Sequence, residues 1–324
     1  MAVSLPDEEL EVLSHAFSGC GGLGVDENSL VDILKRWKQP EQRSLFRKSS
    51  SKFFRPDGHP HHYLFERWDD ALIRTLKFEF ARFKELVVLW TMHPWERDAR
   101  FAHYVLHKAY PFTILVELGC TRSSEELLGA RRAYQALYHH SLEEDVSIHV
   151  KQDYTNLLLG IVSAYRYEGP SWSEERAKLE AKVLGEAIRN PNAVKPVENQ
   201  EVIRILTTRS KLQLRATFEH YKDIYGKSID EDVGDDLCLQ ETVLCLKSPP
   251  TYFSKVINEA LRDDVSKSTK EALTRVIVTR ADADMKDIKD EYQRLYGVEL
   301  ENMISKGTHG NYRDALLSLV ARQE

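Results

Sequence analysis

The stretch TRSSEELLGARRAYQALY, from Thr121 to Tyr138, decides the fold because its pattern recurs twice further along the chain. A Thr-Arg pair is followed by tyrosines 13 and 17 positions after the threonine, which gives the pattern T-R-x11-Y-x3-Y. The later copies begin at Thr208 and Thr279, at offsets of 87 and 71 residues. Because chance agreement at four positions in three copies is improbable, the sequence predicts an internal repeat whose units stack on one another.

Four units are predicted from this repeat. A weaker first copy starts at Lys35-Arg36, and its spacing is one residue longer. Each later copy continues into an acidic stretch and then an apolar segment. The predicted units span residues 1–90, 91–168, 169–248 and 249–324. The first unit is longer between matching positions by about fifteen residues, which predicts an insertion near residues 48–70.

Apolar residues within the units recur every three or four positions, which is the spacing of an amphipathic helix. An example from the first unit is formed by Leu30, Ile33, Leu34 and Trp37. Proline and glycine separate these stretches, and no convincing alternating pattern of strands is present. The predicted fold class is all-α, with several short helices in each unit stacked face to face.

Charge narrows the classes of binding partner. The 324 residues include 45 basic and 51 acidic side chains, a formal net charge of -6. A nucleic-acid binder would concentrate Lys and Arg to neutralise phosphates, so we expect no nucleic-acid partner. The acidity also argues against non-specific adhesion to anionic membranes. Something positive would therefore have to bridge this chain to such a membrane.

Several features predict a cytoplasmic protein. No run of eighteen apolar residues is present, so no membrane-spanning segment is expected. Acidic residues in Met1–Glu11 stand where a basic, then apolar, secretory signal would begin. Four cysteines lie far apart without the pairing typical of a metal site: Cys20, Cys120, Cys238 and Cys245. Such usage is typical of free thiols in a reducing compartment.

Three further segments point, with the repeats, to one family. They are GLGVDE at Gly22–Glu27, HPWERDA at His93–Ala99 and GNYRDALL at Gly310–Leu317. Over nearly its whole length the chain resembles an annexin, and more narrowly a divergent plant annexin. The resemblance implies a slightly curved disc of four repeats with about five helices each. It also implies a monomer or weak homo-oligomer, recruited reversibly to anionic phospholipid membranes by calcium and involved in stress signalling.

The resemblance implies a calcium site in the first unit. Ca²⁺ takes roughly 6–8 oxygen ligands, and a glycine-rich turn exposes backbone carbonyls to the ion. The implied ligands are the carbonyls of Cys20, Gly22 and Gly24 and the carboxylate of Glu79, with Leu23 presented to the bilayer. A lipid phosphate would replace coordinated water, so the ion would bridge an acidic protein to an acidic membrane.

A plain turn is the alternative interpretation of the same loop. Asp26 would then cap a helix spanning Asn28–Trp37. The family places its acid five positions before an aromatic residue, which corresponds here to Phe78 before Phe83. Glu79 stands one position later, so its loop must be one residue shorter. Both interpretations stay open at this point.

The other three units lack the calcium pattern of the family. The acid position is taken by His149 in the second unit and by Gly307 in the fourth. The third unit keeps Asp236, but Val194–Glu198 replaces its glycine loop. In the fourth unit Asp264–Thr269 stands where the glycine loop is expected and includes a lysine. We therefore expect one good calcium site, in the first unit.

Two other clusters have ordinary structural explanations. His59-Pro60-His61-His62 resembles a transition-metal cluster, but an exposed loop of the insertion is the favoured interpretation, with a pH-sensitive surface patch as a lesser one. Cys120 and Cys245 stand, by resemblance, where plant annexins are proposed to hold a redox-sensitive pair. Buried free thiols are the alternative, and the one we favour.

Motifs of catalysis are missing from the sequence, so no enzymatic activity is expected. The acidic runs Glu143–Asp145 and Asp230–Asp232 recur at equivalent positions, which favours solvated helix starts over acid/base pairs. Plant annexins have been linked to peroxidase activity through a histidine of the first repeat, and Lys35–Lys38 contains none.

Three functional hypotheses result. The first is a peripheral protein that calcium recruits to anionic phospholipid through the first-unit loop. The second is a scaffold for protein partners that acts without calcium, since three of the four loops are degenerate. The third, an oxidant-responsive or channel-like role, depends on the family and on the thiols.

Overall fold

The structure is a computed structural model, and it describes residues 11–12, 27–37, 54–55, 67–68, 82–108, 112–150, 152–190, 192 and 194–323. Almost all of this part of the chain is helical. The α-helices are α1 (Glu27–Arg36), α2 (Arg82–Thr91), α3 (Pro94–His107), α4 (Thr113–Thr121), α5 (Ser124–Tyr138), α6 (Leu142–His149), α7 (Gln152–Val162), α8 (Glu174–Arg189), α9 (Gln200–Thr208), α10 (Lys211–Tyr225), α11 (Ile229–Asp232), α12 (Leu237–Lys247), α13 (Pro249–Ala260), α14 (Lys267–Arg280), α15 (Met285–Tyr296), α16 (Leu300–Gly307) and α17 (Gly310–Val320). Short 3₁₀ turns span Pro196–Glu198 and Ala321–Gln323.

A small pair of strands departs from the expectation that no strand would be present. Strand β1 (Phe54–Arg55) pairs in antiparallel register with β2 (Arg67–Trp68), and both lie inside the predicted insertion. Two residues are too few to produce an alternating hydrophobic pattern, which explains why the sequence did not reveal them. The all-α fold class is otherwise confirmed.

Among the described residues, five helices fall within each of the three later predicted units. They are α3–α7 in the second unit, α8–α12 in the third and α13–α17 in the fourth. The chain divides into two compact parts, residues 94–252 and residues 1–93 with 253–324. The division points lie a few residues after the predicted ends of the first and third units, and the four-unit boundaries themselves stay a prediction.

The part formed by residues 94–252 is built from helix pairs that recur in both of its units. Helix α3 packs against α5 as α8 packs against α10, and α4 contacts α12. Tyr134 and Tyr221, the first tyrosines of two repeat copies, are completely buried.

In the other compact part, α1 packs against α17, and α2 contacts both α14 and α17. Its buried residues include Trp37, Trp90 and the third repeat tyrosine, Tyr292. The first tyrosine of each repeat copy is thus buried in its own unit.

The repeated Thr-Arg pair marks the end of a helix. Helix α4 ends at Thr121, Arg122 is extended, and Ser123 caps α5 in a reciprocal capping box with Glu126. Ser210 caps α10 with a single hydrogen bond, which its side chain accepts from the backbone N–H of Gln213. These caps explain why each of these pairs precedes a long helix.

The arginine of each pair forms an ion pair. Arg122 donates two hydrogen bonds to Asp98, with donor–acceptor distances of 2.7 and 3.0 Å. Arg209 Nε lies 2.6 Å from a carboxylate oxygen of Glu180. The repeat therefore specifies both a helix end and an internal charge pair in these two units.

Replacing His139 by glycine is expected to stabilise the protein. The residue after the second tyrosine of each repeat is left-handed, with φ of 65° at His139, 73° at Gly226 and 70° at Gly297. A side chain costs about 1 kcal/mol in this conformation, which glycine avoids. We expect His139→Gly to raise the melting temperature by roughly 2 °C in calorimetry. His139→Ala keeps the Cβ atom and should not stabilise; equal gains from both variants would contradict the argument.

Candidate functional site

The predicted calcium site of the first unit lies outside the described residues, which include none of Cys20, Gly22, Leu23, Gly24 and Glu79. The two helices that follow its loops are described. Helix α1 begins at Glu27, the last residue of the Gly22–Glu27 segment, and α2 begins at Arg82, three residues after Glu79. A helix at Glu27 fits the calcium loop and the plain turn equally, so the ligand set stays a prediction. The His59–His62 segment also lies outside the described residues.

The corresponding position of the third unit serves a structural purpose. Asp236 caps α12, where its carboxylate accepts a hydrogen bond of 3.0 Å from the N–H of Leu239. A 3₁₀ turn replaces the glycine loop, and Lys195 beside it lies 3.1 Å from a carboxylate oxygen of Asp153. The third unit therefore has a paired lysine and a 3₁₀ turn in place of the glycine loop.

The fourth unit uses its loop in a similar way. Ser266 caps α14 by accepting a hydrogen bond from the N–H of Thr269, and the side chain of Lys267 is 91% exposed. At the acid position, Gly307 ends α16 and offers no carboxylate. The expectation of one good calcium site, in the first unit, remains a prediction.

The second unit brings histidines together around a buried carboxylate. Asp145, in the first turn of α6, is only 3% exposed. Four imidazoles surround it, and they belong to His103 and His107 on α3, His140 before α6, and His149 at the end of α6. We call these four histidines and Asp145 the histidine cluster. The distances from the Asp145 carboxylate to the ring nitrogens run from 2.9 Å at His140 to 3.9 Å at His103 and His149.

Two groups of the histidine cluster have shifted protonation equilibria. Burial, followed by the neighbouring His107, lowers the pKa of His103 to about 4, so this ring is neutral at pH 7. Burial raises the pKa of Asp145, but a hydrogen bond from the Tyr134 hydroxyl and the nearby His140 outweigh it and lower the pKa overall. The cluster therefore presents a neutral imidazole beside an ionised carboxylate.

The expectation that both acidic runs are solvated helix starts is wrong for their third members. Asp145 is buried under Tyr134, and the equivalent Asp232 accepts a 3.0 Å hydrogen bond from Tyr221. Arg189 also lies 2.8 Å from Asp232. The third acid of each run points toward the repeat tyrosine because α6 and α11 turn it inward. The runs do start helices, as expected.

Two of the three described thiols are buried. Cys120 and Cys245 are completely shielded from solvent, Cys238 is partly exposed, and none of the three forms a disulfide bond. Burial raises the pKa of the Cys120 thiol to about 11. Because the thiolate is the reactive form, Cys120 is a poor nucleophile at neutral pH. This favours the interpretation as structural thiols over the redox pair.

The histidine cluster was missed by the sequence reasoning, although a signal for part of it exists. His103 and His107 stand four positions apart on one helix and therefore share a face. His149 was noted only as a histidine in place of an acid.

None of the described helices is long and apolar enough to cross a membrane.

Fold and repeat together define a mainly helical protein with tandem five-helix units in its second to fourth repeats, and comparisons with known proteins identify the family. The family model described as Annexin matches residues 113–161, 184–238 and 254–319, within the second to fourth predicted units. Annexin D4 of Arabidopsis thaliana is 46% identical over 319 residues, covering 98% of each chain. Annexin Gh1 of Gossypium hirsutum is 41% identical, covering 98% of this chain and 96% of its own.

A solved structure supports the same conclusion. The structure titled annexin III has a TM-score of 0.81 and 25% identity, covering 99% of this chain and 95% of its own. The chain belongs to the annexin family. Members of this family generally bind phospholipid in a calcium-dependent manner and are mainly non-enzymatic.

Proposed function

We propose that this annexin is a calcium-dependent peripheral membrane protein, in which Ca²⁺ bridges the first-unit loop to anionic phospholipid headgroups. Family membership carries this proposal, together with the G-x-G-V-D-E loop at Gly22–Glu27. The proposed ligands are the carbonyls of Cys20, Gly22 and Gly24 and the carboxylate of Glu79, with Leu23 at the bilayer. The proposal includes four repeats with the boundaries predicted above, a cytoplasmic location, and a monomer or weak homo-oligomer acting in calcium and stress signalling.

Charge supports a bridging ion. The chain has a net charge of -6, so an anionic membrane repels it on average. Ca²⁺ held by three carbonyls and one carboxylate keeps net positive charge and open coordination positions, which lipid phosphate oxygens can fill. The loops of the other units support a single such bridge, because Asp236 caps a helix and the fourth unit offers Gly307 at the acid position.

Replacing Glu79 by glutamine is expected to remove most of the calcium-dependent membrane binding. The amide keeps the size of the side chain but loses the charge and the bidentate oxygens that Ca²⁺ prefers. In cosedimentation with phosphatidylserine vesicles, the calcium concentration for half-maximal binding should rise by at least about tenfold. Circular dichroism on the same samples verifies that the variant is folded.

A matched control separates the site from overall charge. Glu175→Gln removes one negative charge at an exposed position of α8 and should bind as the unmodified protein does. Sedimentation of Glu79→Gln at unchanged calcium would refute the ligand assignment. Vesicle binding of the unmodified protein that persists in chelator, or never appears, would refute the calcium bridge and favour the scaffold for protein partners.

A further inference from the structure

We propose that the second unit binds a divalent transition-metal ion of the zinc class through His103, His107 and Asp145, with His140 as the fourth ligand. Among the described residues, these first three form the one group of at least three His, Cys, Asp or Glu side chains placed to hold a metal ion. Their ligand atoms all lie within 4.8 Å of one another. The site is independent of the calcium loop and of the function proposed for it.

The distances are close to those of a tetrahedral site. His103 Nδ1 and His107 Nε2 lie 3.9 and 3.8 Å from Asp145 Oδ2, and His140 Nε2 lies 2.9 Å from the same oxygen. Ligand atoms about 2.0–2.1 Å from a tetrahedral zinc are separated from each other by roughly 3.4 Å. The three separations from Asp145 Oδ2 differ from this value by about 0.5 Å or less, so small side-chain rotations bring each of these pairs to the spacing of zinc ligands.

Hydrogen bonds fix one imidazole in the form that a metal requires. His107 Nδ1 lies 3.1 Å from the backbone carbonyl oxygen of His103. A carbonyl only accepts, so Nδ1 carries the proton and Nε2, which faces Asp145, keeps its lone pair. His149 Nδ1 donates in the same way to the carbonyl of Asp145, at 3.0 Å. A ring N–H bonded to a carbonyl is a common outer-shell arrangement of metal-binding histidines.

The third unit shows that this donor set is particular to the second. Asp98 and Glu180 each pair with the repeat arginine of their own unit, so they occupy equivalent positions. Nine residues after these acids, the second unit has His107 and the third unit has Arg189. Where the second unit has imidazoles, the third has Arg189, whose fixed cation lies 2.8 Å from Asp232. The carboxylate of the third unit is therefore neutralised by the protein itself.

The third unit also has no histidine at the position equivalent to His103. Gly185 stands there, and a Cβ atom on it would come within 2.1 Å of the Tyr225 ring. In the second unit the ring of His103 instead stacks on Tyr138, with 3.7 Å between centroids. A shared tyrosine–aspartate frame thus carries two histidines in one unit and none in the other. In the second unit the carboxylate is left with imidazoles that a metal ion can use.

Ligand chemistry and access favour the zinc class. Imidazole nitrogens suit Zn²⁺ and its neighbours, whereas Ca²⁺ takes oxygen ligands. The side chains of His103, His107 and His140 are each about one third exposed, at 30%, 35% and 34%. A metal ion can therefore enter from solvent and reach the buried carboxylate.

Titration of the full chain with Zn²⁺ tests this site. His59, His61 and His62 are replaced by asparagine in every protein used, so that the histidine-rich loop contributes no binding. After treatment with a chelator and buffer exchange, calorimetry should show one bound Zn²⁺ in this reference protein. In His103→Gln/His107→Gln, affinity should fall by at least about tenfold, and Co²⁺ should lose its tetrahedral visible absorption.

A neighbouring histidine, His139, provides the control for this titration. His139→Asn alters an adjacent exposed histidine, and asparagine tolerates its left-handed backbone, so Zn²⁺ affinity should stay unchanged. Zn²⁺ should raise the melting temperature of the reference protein and not that of the double variant. If the double variant does not fold, His107→Gln at the exposed ring supplies the same comparison. No Zn²⁺ binding by the reference protein, equal affinity in the variants, or displacement of Zn²⁺ by a small excess of Ca²⁺ would overturn the assignment.

Discussion

Replacing Asp98 by alanine is expected to lower the free energy of unfolding by about 3–5 kcal/mol. Asp98 and Arg122 are both buried, and the guanidinium donates two hydrogen bonds to the carboxylate. Without Asp98, a charged guanidinium remains in the interior with its strongest acceptor gone, and the cost of its desolvation is no longer offset. The loss should appear as a lower melting temperature in calorimetry and a lower midpoint in urea.

Two further variants isolate the buried charge as the cause. Glu201→Ala also removes an acid from an arginine, because Glu201 lies 2.8 Å from Arg204, but this pair is exposed and should be worth about 0.2–1 kcal/mol. Combining Asp98→Ala with Arg122→Met removes both charges and should recover part of the lost stability. If Asp98→Ala costs no more than Glu201→Ala, the repeat arginine does not hold the unit together as argued.

Sequence reasoning identified the helical repeat because its evidence is local. The Thr-Arg pair, the serine after it and the tyrosines all lie within one turn or one helix of each other, so a pattern along the chain records them directly. Ser123 and Ser210 are caps that a sequence displays in full. The ion pair of Arg122 is different, because its partner lies 24 residues earlier on another helix. Its existence required the packing of α3 against α5.

The candidate sites also show that sequence reasoning does not reveal contacts between residues far apart in the chain. The glycine loop at Gly22–Glu27 is contiguous and suggested a calcium site, whereas its carboxylate had to come from a distant residue through a family resemblance. The histidine cluster joins α3, α6 and the segment between α5 and α6, and only His103 and His107 are near neighbours in sequence. Asp145 was assigned to a solvated helix start because its acidic run recurs at the equivalent position of the third unit. Tertiary packing turned one member of the run inward, which composition cannot reveal.

Raising the pH from 9 to 11 is expected to remove about 2 kcal/mol of stability through Cys120 alone. Its thiol has a reference pKa of 9.0, and burial raises this to about 11 in the folded protein. Between these values the unfolded chain has lost the proton and the folded chain has kept it, so the unfolded state binds fewer protons. Stability is therefore complete below pH 9 and falls as the pH rises toward 11.

The difference between two pH profiles measures this contribution. Free energies of unfolding of the unmodified protein and of Cys120→Ala should approach each other from pH 9 to 11, because the alanine variant has no thiol to ionise at this position. Buried tyrosines such as Tyr292, whose pKa burial raises to about 12, titrate in both proteins and cancel. Val116→Ala removes a buried side chain from the same helix without a titrating group, so its deficit should stay constant across this range. Parallel profiles for Cys120→Ala and the unmodified protein would show that the thiol ionises as readily in the fold as outside it. Burial would then not suppress the ionisation of Cys120, and the argument from its raised pKa against the oxidant-responsive hypothesis would fail.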